Sequence, residues 1–547
     1  MNRFLTILSI ILLFPGSSCV KENTVNSSLD KWREARFGMF IHWGPVSLKG
    51  TEIGWSRGRE ITIEEYDNLY RQFNPVNFDA KEWVRLASDA GMKYIVFTSK
   101  HHDGFCMWDT KYNDFNIMNS PFGRDVMAEL AEACEEYRMP LGFYHSTCDW
   151  HHPDFPLTSP GGTVRRDVSD IGRYTEYLKN QSVEIINKYG PLFVMWYDVP
   201  QEFDSARGQS VIDHIRKTQP DIVVNNRTGA EGDFDTPEQR IGDFRIDRPW
   251  ETCMTIASQW AWKPDDPVKS LEQCLHSLIR SAGGDGNLLL NVGPMPDGRI
   301  EPGQAERLRE MGEWLKEYGS SIYGTRGGPF KPTDWGVTTR KGNKIYLHVL
   351  NWFGHSPRIV IPDFGMDIKQ CRLITGGDVR SEKQPGYTII GFSEESLHKL
   401  NTIVELTLSG NSMDIEPVEV PPQSISYGKK ATASSNPDPG WHDISSVNNG
   451  DWSGHYWIPS ADDKQPWIEI DLGKIENISG AVIFEHGKNV QAFEIQYKQE
   501  NDWITLYNGH KVDNGSVINF PETAAGQVRV VFKEFINIPE IYEIVFL

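Results

Sequence analysis

Side chains able to do chemistry gather at the ends of apolar runs. The stretch "PLFVMWYD" is almost wholly apolar until it delivers Asp198 at its far end. An ionised carboxylate is costly to take out of water unless it is paired or used. Other apolar runs end in the same way. "FIHWG" gives His42 and Trp43, "YIVFTSKHHD" gives His101, His102 and Asp103, and "LGFYHS" gives Tyr144 and His145. Trp196 and Tyr197 precede Asp198, and "IVVNNR" gives Asn226 and Arg227. Imidazoles and a guanidinium can bind hydroxyls, and indoles can stack on the apolar face of a pyranose. The reaction such a set supports is cleavage of a glycosidic bond. That chemistry needs two carboxylates, one to attack the anomeric carbon or activate water and one to protonate the leaving oxygen.

Between residues 31 and 323, short β-rich runs alternate with amphipathic stretches such as "DAKEWVRLASDAG" and "RYTEYLKNQSVEIINKYG". This is the pattern of a parallel sheet wrapped by helices. A region of that length predicts a (β/α)8-like barrel, in which strands present functional groups at their C-terminal ends. A doubly wound open sheet is the structural alternative, but no GxGxxG follows a first strand. From 324 to 412 the text turns to short alternating strands and predicts a β-sandwich. The Pro-rich stretch 413–426 reads as a linker, and 427–547 is again all β.

The chain has 547 residues, enough for several domains, and a net charge of -20. That balance argues against nucleic acid or an anionic membrane as partner, since binding phosphate backbones takes clustered Lys and Arg. Residues 1–19 combine Arg3, an apolar stretch and small residues ahead of Cys19. They read as an export signal of the bacterial lipoprotein type, followed by a polar tether over 20–30. The expected location is periplasmic or outer-membrane, with membrane contact only through that lipid anchor. The other six cysteines, Cys106, Cys134, Cys148, Cys253, Cys274 and Cys371, show no CxxC pair and no metal-ligand spacing. One disulfide among them is left open.

The strings "ARFGMFIHWG", "SKHHDGFCMWD", "GFYHSTCDWHHPDF", "MWYD", "VVNNR" and "GNLLLNVGPMPDG" together closely resemble the α-L-fucosidases of glycoside hydrolase family 29. The resemblance implies no metal and a retaining double displacement on terminal α-L-fucose. It makes Asp198 the nucleophile and places His42, Trp55, His101, His102, His145, Trp196 and Arg227 around the fucose. For the acid/base it favours Glu238 in "GDFDTPEQ", with Glu251 in "RPWETC" as second choice or as a sugar-binding residue. Many members carry an acid beside the sugar-facing tryptophan, whereas "TEIGWSRG" has Gly54 there with Glu52 nearby. That departure leaves the choice between L-fucose and L-galactose open, because apolar contact discriminates weakly against an added hydroxyl.

The C-terminal strings "KKATASSN", "VNNGDWSGHYWIPSADDKQPWIEIDLGK" and "IYEIVFL" resemble a coagulation-factor type C, or discoidin, domain. Such modules often bind sugars through loops at one end. Trp441, His442, Trp452 and Trp457 are the candidate loop aromatics, and the resemblance leaves room for a calcium ion. Two other classes stay open: a non-catalytic lectin using the same aromatics, and a metal-dependent hydrolase using "HHD" and "DWHHPD" as ligands.

Overall fold

The computed structural model describes residues 27–161, 164–352, 358–452 and 454–547. The export signal with Cys19, and the tether up to residue 26, lie outside the described residues. Residues 28–30, read as the end of that tether, are instead the first turn of helix α1 (Ser28–Ala35), started by a capping box between Ser27 and Asp30.

The first part of the chain is a parallel sheet of β1 (Phe37–Ile41), β2 (Tyr94–Lys100), β3 (Leu141–Ser146), β4 (Val194–Asp198), β5 (Val223–Val224), β6 (Glu251–Thr255) and β7 (Asn287–Val292). Its order is β5-β4-β3-β2-β1-β7-β6, so β1 sits centrally and the curled sheet ends at β5 and β6. Helices run outside it: α2 (Ile63–Asn68), α3 (Ala80–Asp89), α4 (Val126–Tyr137), α5 (Ile171–Tyr189), α6 (Ser205–Ile215), α7 (Leu271–Gly283) and α8 (Pro302–Tyr318). Side-chain caps begin them where the sequence supplies an acid or hydroxyl, as Asp79 does for α3, Asp125 for α4, Asp170 for α5 and Ser270 for α7. In α3 the apolar stripe Trp83, Val84, Leu86 and Ala87 is buried against the sheet.

β5 and β6 do not pair with each other. Residues 234–239 fill the place between them: Asn225 bridges Phe234, Asp235 bridges Trp250, and Glu238 bridges Cys253, all in parallel sense. Backbone bonds from Asp235 N to Pro249 O (3.0 Å), Cys253 N to Pro237 O (3.1 Å) and Gln239 N to Cys253 O (2.9 Å) hold this segment. Pro237 has no N–H to give, so the ladder is broken and the eighth stave of the barrel is irregular. Inside the barrel Phe40, Val96, Tyr144, Val194, Trp196, Phe234 and Leu289 pack together, with the Trp32 ring of α1 tilted against Phe234 at 4.2 Å as a plug at the N-terminal end.

Asp285 ties the barrel floor together. Its side chain is fully buried and accepts from Arg36 (2.7 Å), Arg33 (3.0 Å), Arg326 and the backbone of Gly327.

Two antiparallel sheets follow. One has the order β12-β15-β10-β9-β8 and the other β11-β14-β13. Their strands are β8 (Arg326–Gly327), β9 (Gly336–Lys341), β10 (Lys344–Val349), β11 (Arg358–Pro362), β12 (Ile368–Leu373), β13 (Val379–Gln384), β14 (Tyr387–Phe392) and β15 (Thr402–Leu408). The Pro-rich stretch read as a linker is not free of them. Val418 exchanges backbone bonds with Pro329 and Lys331, and Gln423 N donates to Asp334. The C-terminal domain is a sheet of β16 (Lys430–Ala433), β17 (Trp467–Glu485), β18 (Val490–Gln499), β19 (Asp502–Gly509), β20 (Ile518–Phe535) and β21 (Ile541–Phe546). Register breaks in the long β17–β20 pair let it bend around its own core of Trp457, Ile470, Ile483, Phe493 and Phe532.

Candidate active site

Along β4 the side chains alternate. Val194 and Trp196 face the barrel interior and Met195 and Tyr197 face the helices, which aims Asp198 inward at the C-terminal mouth. Its Oδ2 accepts from the Tyr144 hydroxyl at 2.9 Å and its Oδ1 from Arg227 Nη1 at 2.9 Å. Burial pushes the Asp198 pKa up. The Arg227 charge and the two hydrogen bonds outweigh that and hold it below the usual aspartate value.

Arg227 is fully directed. Nε donates to Thr236 Oγ1 (2.7 Å), Nη2 to Thr236 O (2.9 Å), and Nη1 to Glu238 Oε2 (2.7 Å) as well as to Asp198. One nitrogen 2.9 Å from one carboxylate oxygen and 2.7 Å from the other keeps those two oxygens no more than about 5.6 Å apart. Glu238 rides on the irregular stave. Burial raises its pKa, and the Asp198 charge adds to that; Arg227 pulls back without cancelling it. Two acids sharing one cation are thus pushed in opposite directions, the pattern that separates an acid from a nucleophile.

Three histidines line or back this pair, all buried and all kept neutral by burial, which lowers His42 and His102 to about 4 and His101 well below its ordinary value. Asn291 spends its amide N–H on Trp260 O (2.7 Å), so its Oδ1 takes the proton of His42 Nδ1 (2.7 Å). His42 Nε2 is therefore an acceptor for a hydroxyl. His102 stands behind Asp198, with Nε2 at 3.8 Å from Oδ2 and Nδ1 on Ser146 Oγ at 2.7 Å. Trp55 packs edge-on against His102, and the Trp196 ring lies 5.1 Å beneath the Arg227 guanidinium.

Two expected site residues lie elsewhere. His145 is wholly buried on the helix side of β3, bonded to Ser99 Oγ (2.9 Å) and packed against Trp108 and Tyr197. The register sets Tyr144 beside Trp196 and His145 beside Tyr197, so Tyr144 faces the cavity and His145 the helices. Glu251 begins β6 rather than ending a strand and is wholly buried inside the barrel. One oxygen accepts from Trp196 Nε1 (3.1 Å) and the other from the Tyr94 hydroxyl. Burial raises its pKa to about 7, and it supports Trp196 from below without reaching the cavity.

The cavity measures about 390 Å³, at the small end for ligand sites. Asp198, Glu238, Arg227, His42, His101, Trp55 and Trp196 line it together with Phe40, Glu52, Tyr144, Val199, Cys253, Trp260 and Trp441. Tyr144 was readable from strand parity; Trp441 was expected only as a loop aromatic of the C-terminal domain, and Trp260 carries no sequence signal, because loop packing brings them in. Glu52 is engaged with its own backbone and that of the next loop, accepting from Ile53 N, Trp260 N and Ala261 N at 3.0, 2.8 and 3.0 Å. Gly54 has φ +68°, and a Cβ there would stand 2.6 Å from His101 Nδ1, so the absent acid has no room beside His101 as it is placed here.

Among the described residues no group of three or more His, Cys, Asp or Glu is arranged to hold a metal, and all six cysteines are free. In "DWHHPD", His151 stacks on Phe115 and His152 packs on Tyr177, while Asp149 pairs with Lys100.

A barrel that sets two carboxylates this close within an aromatic cavity has the arrangement that glycoside hydrolysis requires. A family model described as alpha-L-fucosidase matches residues 18–320, and one described as the F5/8 type C domain matches 430–544. The chain belongs to the α-L-fucosidase family. It is 29% identical to human plasma alpha-L-fucosidase over 382 residues, 62% of this chain and 80% of that protein. It superposes on alpha-L-fucosidase isoenzyme 1 from Paenibacillus thiaminolyticus with TM-score 0.65 and 32% identity, over 70% of this chain and 99% of that one. A Bacteroides thetaiotaomicron GH29 alpha-L-fucosidase, solved as a trapped covalent intermediate with 2-fluoro-fucosyl fluoride, matches with TM-score 0.63 and 26% identity, over 70% and 96% of the two chains.

Proposed function

We propose that this enzyme is an exo-acting, retaining α-L-fucosidase that removes terminal α-L-fucose from oligosaccharides or glycans. The observation that carries the reading is the shared Arg227 nitrogen, which keeps the nearest oxygens of Asp198 and Glu238 within about 5.6 Å. Retaining enzymes hold their carboxyl groups about 5–5.5 Å apart, and inverting ones need about 6.5–9.5 Å to admit water. An Asp198 oxygen attacks C1 as the bond from C1 to the leaving oxygen breaks, and Glu238 gives its proton to that oxygen. The β-fucosyl ester so formed is cleaved by water, whose proton returns to Glu238 as its oxygen bonds to C1 and Asp198 is released. His42 accepts from a sugar hydroxyl through Nε2, and Trp196 and Trp55 supply apolar contact. The covalent intermediate trapped in the Bacteroides relative supports the two-step course. The "SSCVKEN" stretch around Cys19 further suggests export with a lipid anchor.

Proton NMR of the purified protein with fucosylated oligosaccharides, an aryl α-L-fucoside and an aryl α-L-galactoside tests this. α-L-Fucose is expected first, mutarotating later, and the substrates cleaved name the linkage. β-Fucose as first product overturns the role of Asp198, and release of no fucose overturns the activity.

A further inference from the structure

The C-terminal domain reaches the active site. Trp441, in a turn where His442 N donates to Asp438 O at 2.8 Å, is the cavity-lining residue that comes from that domain, and the residue is 48% exposed. A second cleft of about 620 Å³ opens from the same place, sharing Trp260 and Trp441 with the catalytic cavity. Gln239, Ser258 and Trp260 form its barrel wall, and His442, His455 and Tyr456 form the opposite one. The same domain leans on the acid segment: His455 lies against the backbone of Glu238, and a Cβ on Gly454 would stand 3.1 Å from Gln239 O.

We propose that this cleft between barrel and C-terminal domain is the binding site for the leaving portion of the substrate, with Trp441 as its aromatic platform. The proposal rests on the fucosidase reading above and extends it. Glu238 must protonate the leaving oxygen, so the departing sugar lies on Glu238's side of the cavity, and that is the side the cleft opens from. Its walls suit a saccharide, with Asp438 as the one carboxylate among the lining residues. Trp441 and His455 pack at 5.8 Å and His442 and Tyr456 at 4.7 Å, leaving aromatic faces and imidazole nitrogens along the path. The one lysine lining it, Lys269, is turned onto the carbonyls of Thr255 (2.7 Å) and Ala257 (3.3 Å).

The test compares kcat/KM for an uncharged fucosylated tetrasaccharide with that for α-L-fucosyl fluoride, whose leaving fluoride makes no contact with the cleft. Both report the first bond-breaking step. In Trp441→Ala the ratio of tetrasaccharide to fluoride should fall at least tenfold, and in Trp441→Phe, which keeps an aromatic face, it should stay within threefold of wild type. A ratio unchanged in Trp441→Ala overturns the proposal. Equal losses on both substrates also overturn it, because Trp441 would then serve the fucose cavity itself. Failure of the wild type to hydrolyse the fluoride is a different result: it removes the fucosidase reading and, with it, this extension.

Discussion

Replacing Glu238 by Ala separates the two acids by experiment. In the wild type Glu238 shares Arg227 Nη1 with Asp198, so truncation removes the proton donor while Asp198 keeps its bonds to Tyr144 and Arg227. General acid assistance contributes about 10²–10⁴-fold, or about 2.7–5.5 kcal/mol at 1.36 kcal/mol per decade. It matters in proportion to the basicity of the leaving oxygen. kcat/KM on an oligosaccharide, which departs as an alkoxide, should therefore fall about 10³-fold. On fucosyl fluoride, which departs without a proton, the loss should be less than about tenfold. The second step then lacks a base, so azide should restore turnover and yield α-L-fucosyl azide, having met the β-ester from the face water uses. Asp198→Ala should give the β-azide, because there azide attacks the α-substrate directly. The wild-type alkaline limb should vanish as well: Glu238 must be protonated to act, its pKa is raised by burial, and activity is lost as pH rises through it. Glu251→Gln, which keeps the shape under Trp196, should show no dependence on the leaving group. If leaving-group dependence and azide rescue followed Glu251 and not Glu238, the reasoning from the shared nitrogen would be refuted.

Tyr144→Phe deletes one of the two hydrogen bonds that hold Asp198 ionised. A bond to a charged group contributes about 1.5–3 kcal/mol, so the acid limb of the pH profile of kcat/KM should move up by about one to two pH units; a limb that stays in place counts against the assignment. Asp285→Asn leaves the fully buried Arg36 without its counter-charge and should lower stability by about 3–5 kcal/mol, read as a lower midpoint of barrel unfolding. Burial raises the Asp285 pKa, but Arg36 and Arg326 outweigh that and hold it far below the ordinary value. Its contribution is then complete above the unfolded value of about 3.9 and is lost only as pH falls toward the folded one. The gap between wild type and variant should thus be constant from pH 5 to 8, and a gap that closes on approaching neutrality would contradict the buried pair.

The parts of the barrel that could be read from the sequence are those where local chemistry and global position agree. β1 to β5 and β7 fall within runs whose apolar character reports burial on both faces. The caps Asp79, Asp125 and Ser270 mark helix starts with side chains that bond the free N–H groups. β6 escapes because "ETCMT" mixes polar and apolar residues and carries its acid at the start of the strand. Only pairing with β7 shows that Glu251 sits at the same end as Asn287. The eighth stave is hidden by Pro237 and by its divided hydrogen bonding, although it bears one acid of the pair. His145 was misplaced for a simpler reason: both it and Tyr144 end a strand, and only the two-residue period, anchored by Asp198 next door, decides which of them meets the sugar. Trp441 depends on how one domain docks on another, which no local pattern encodes.

The reach of Gly454 and His455 onto the Glu238 segment also sets an order in time. Domains fold as units from the N-terminus during synthesis, at about 5–20 residues per second, so Glu238 is made on the order of ten to forty seconds before the loop that braces it. Once β6, β7 and α8 have followed and until that loop docks, the barrel holds both acids while the outer face of the irregular stave is bare. The wall beside the leaving oxygen is the last piece of the active site to arrive, and it arrives only after the C-terminal domain that carries it has been made.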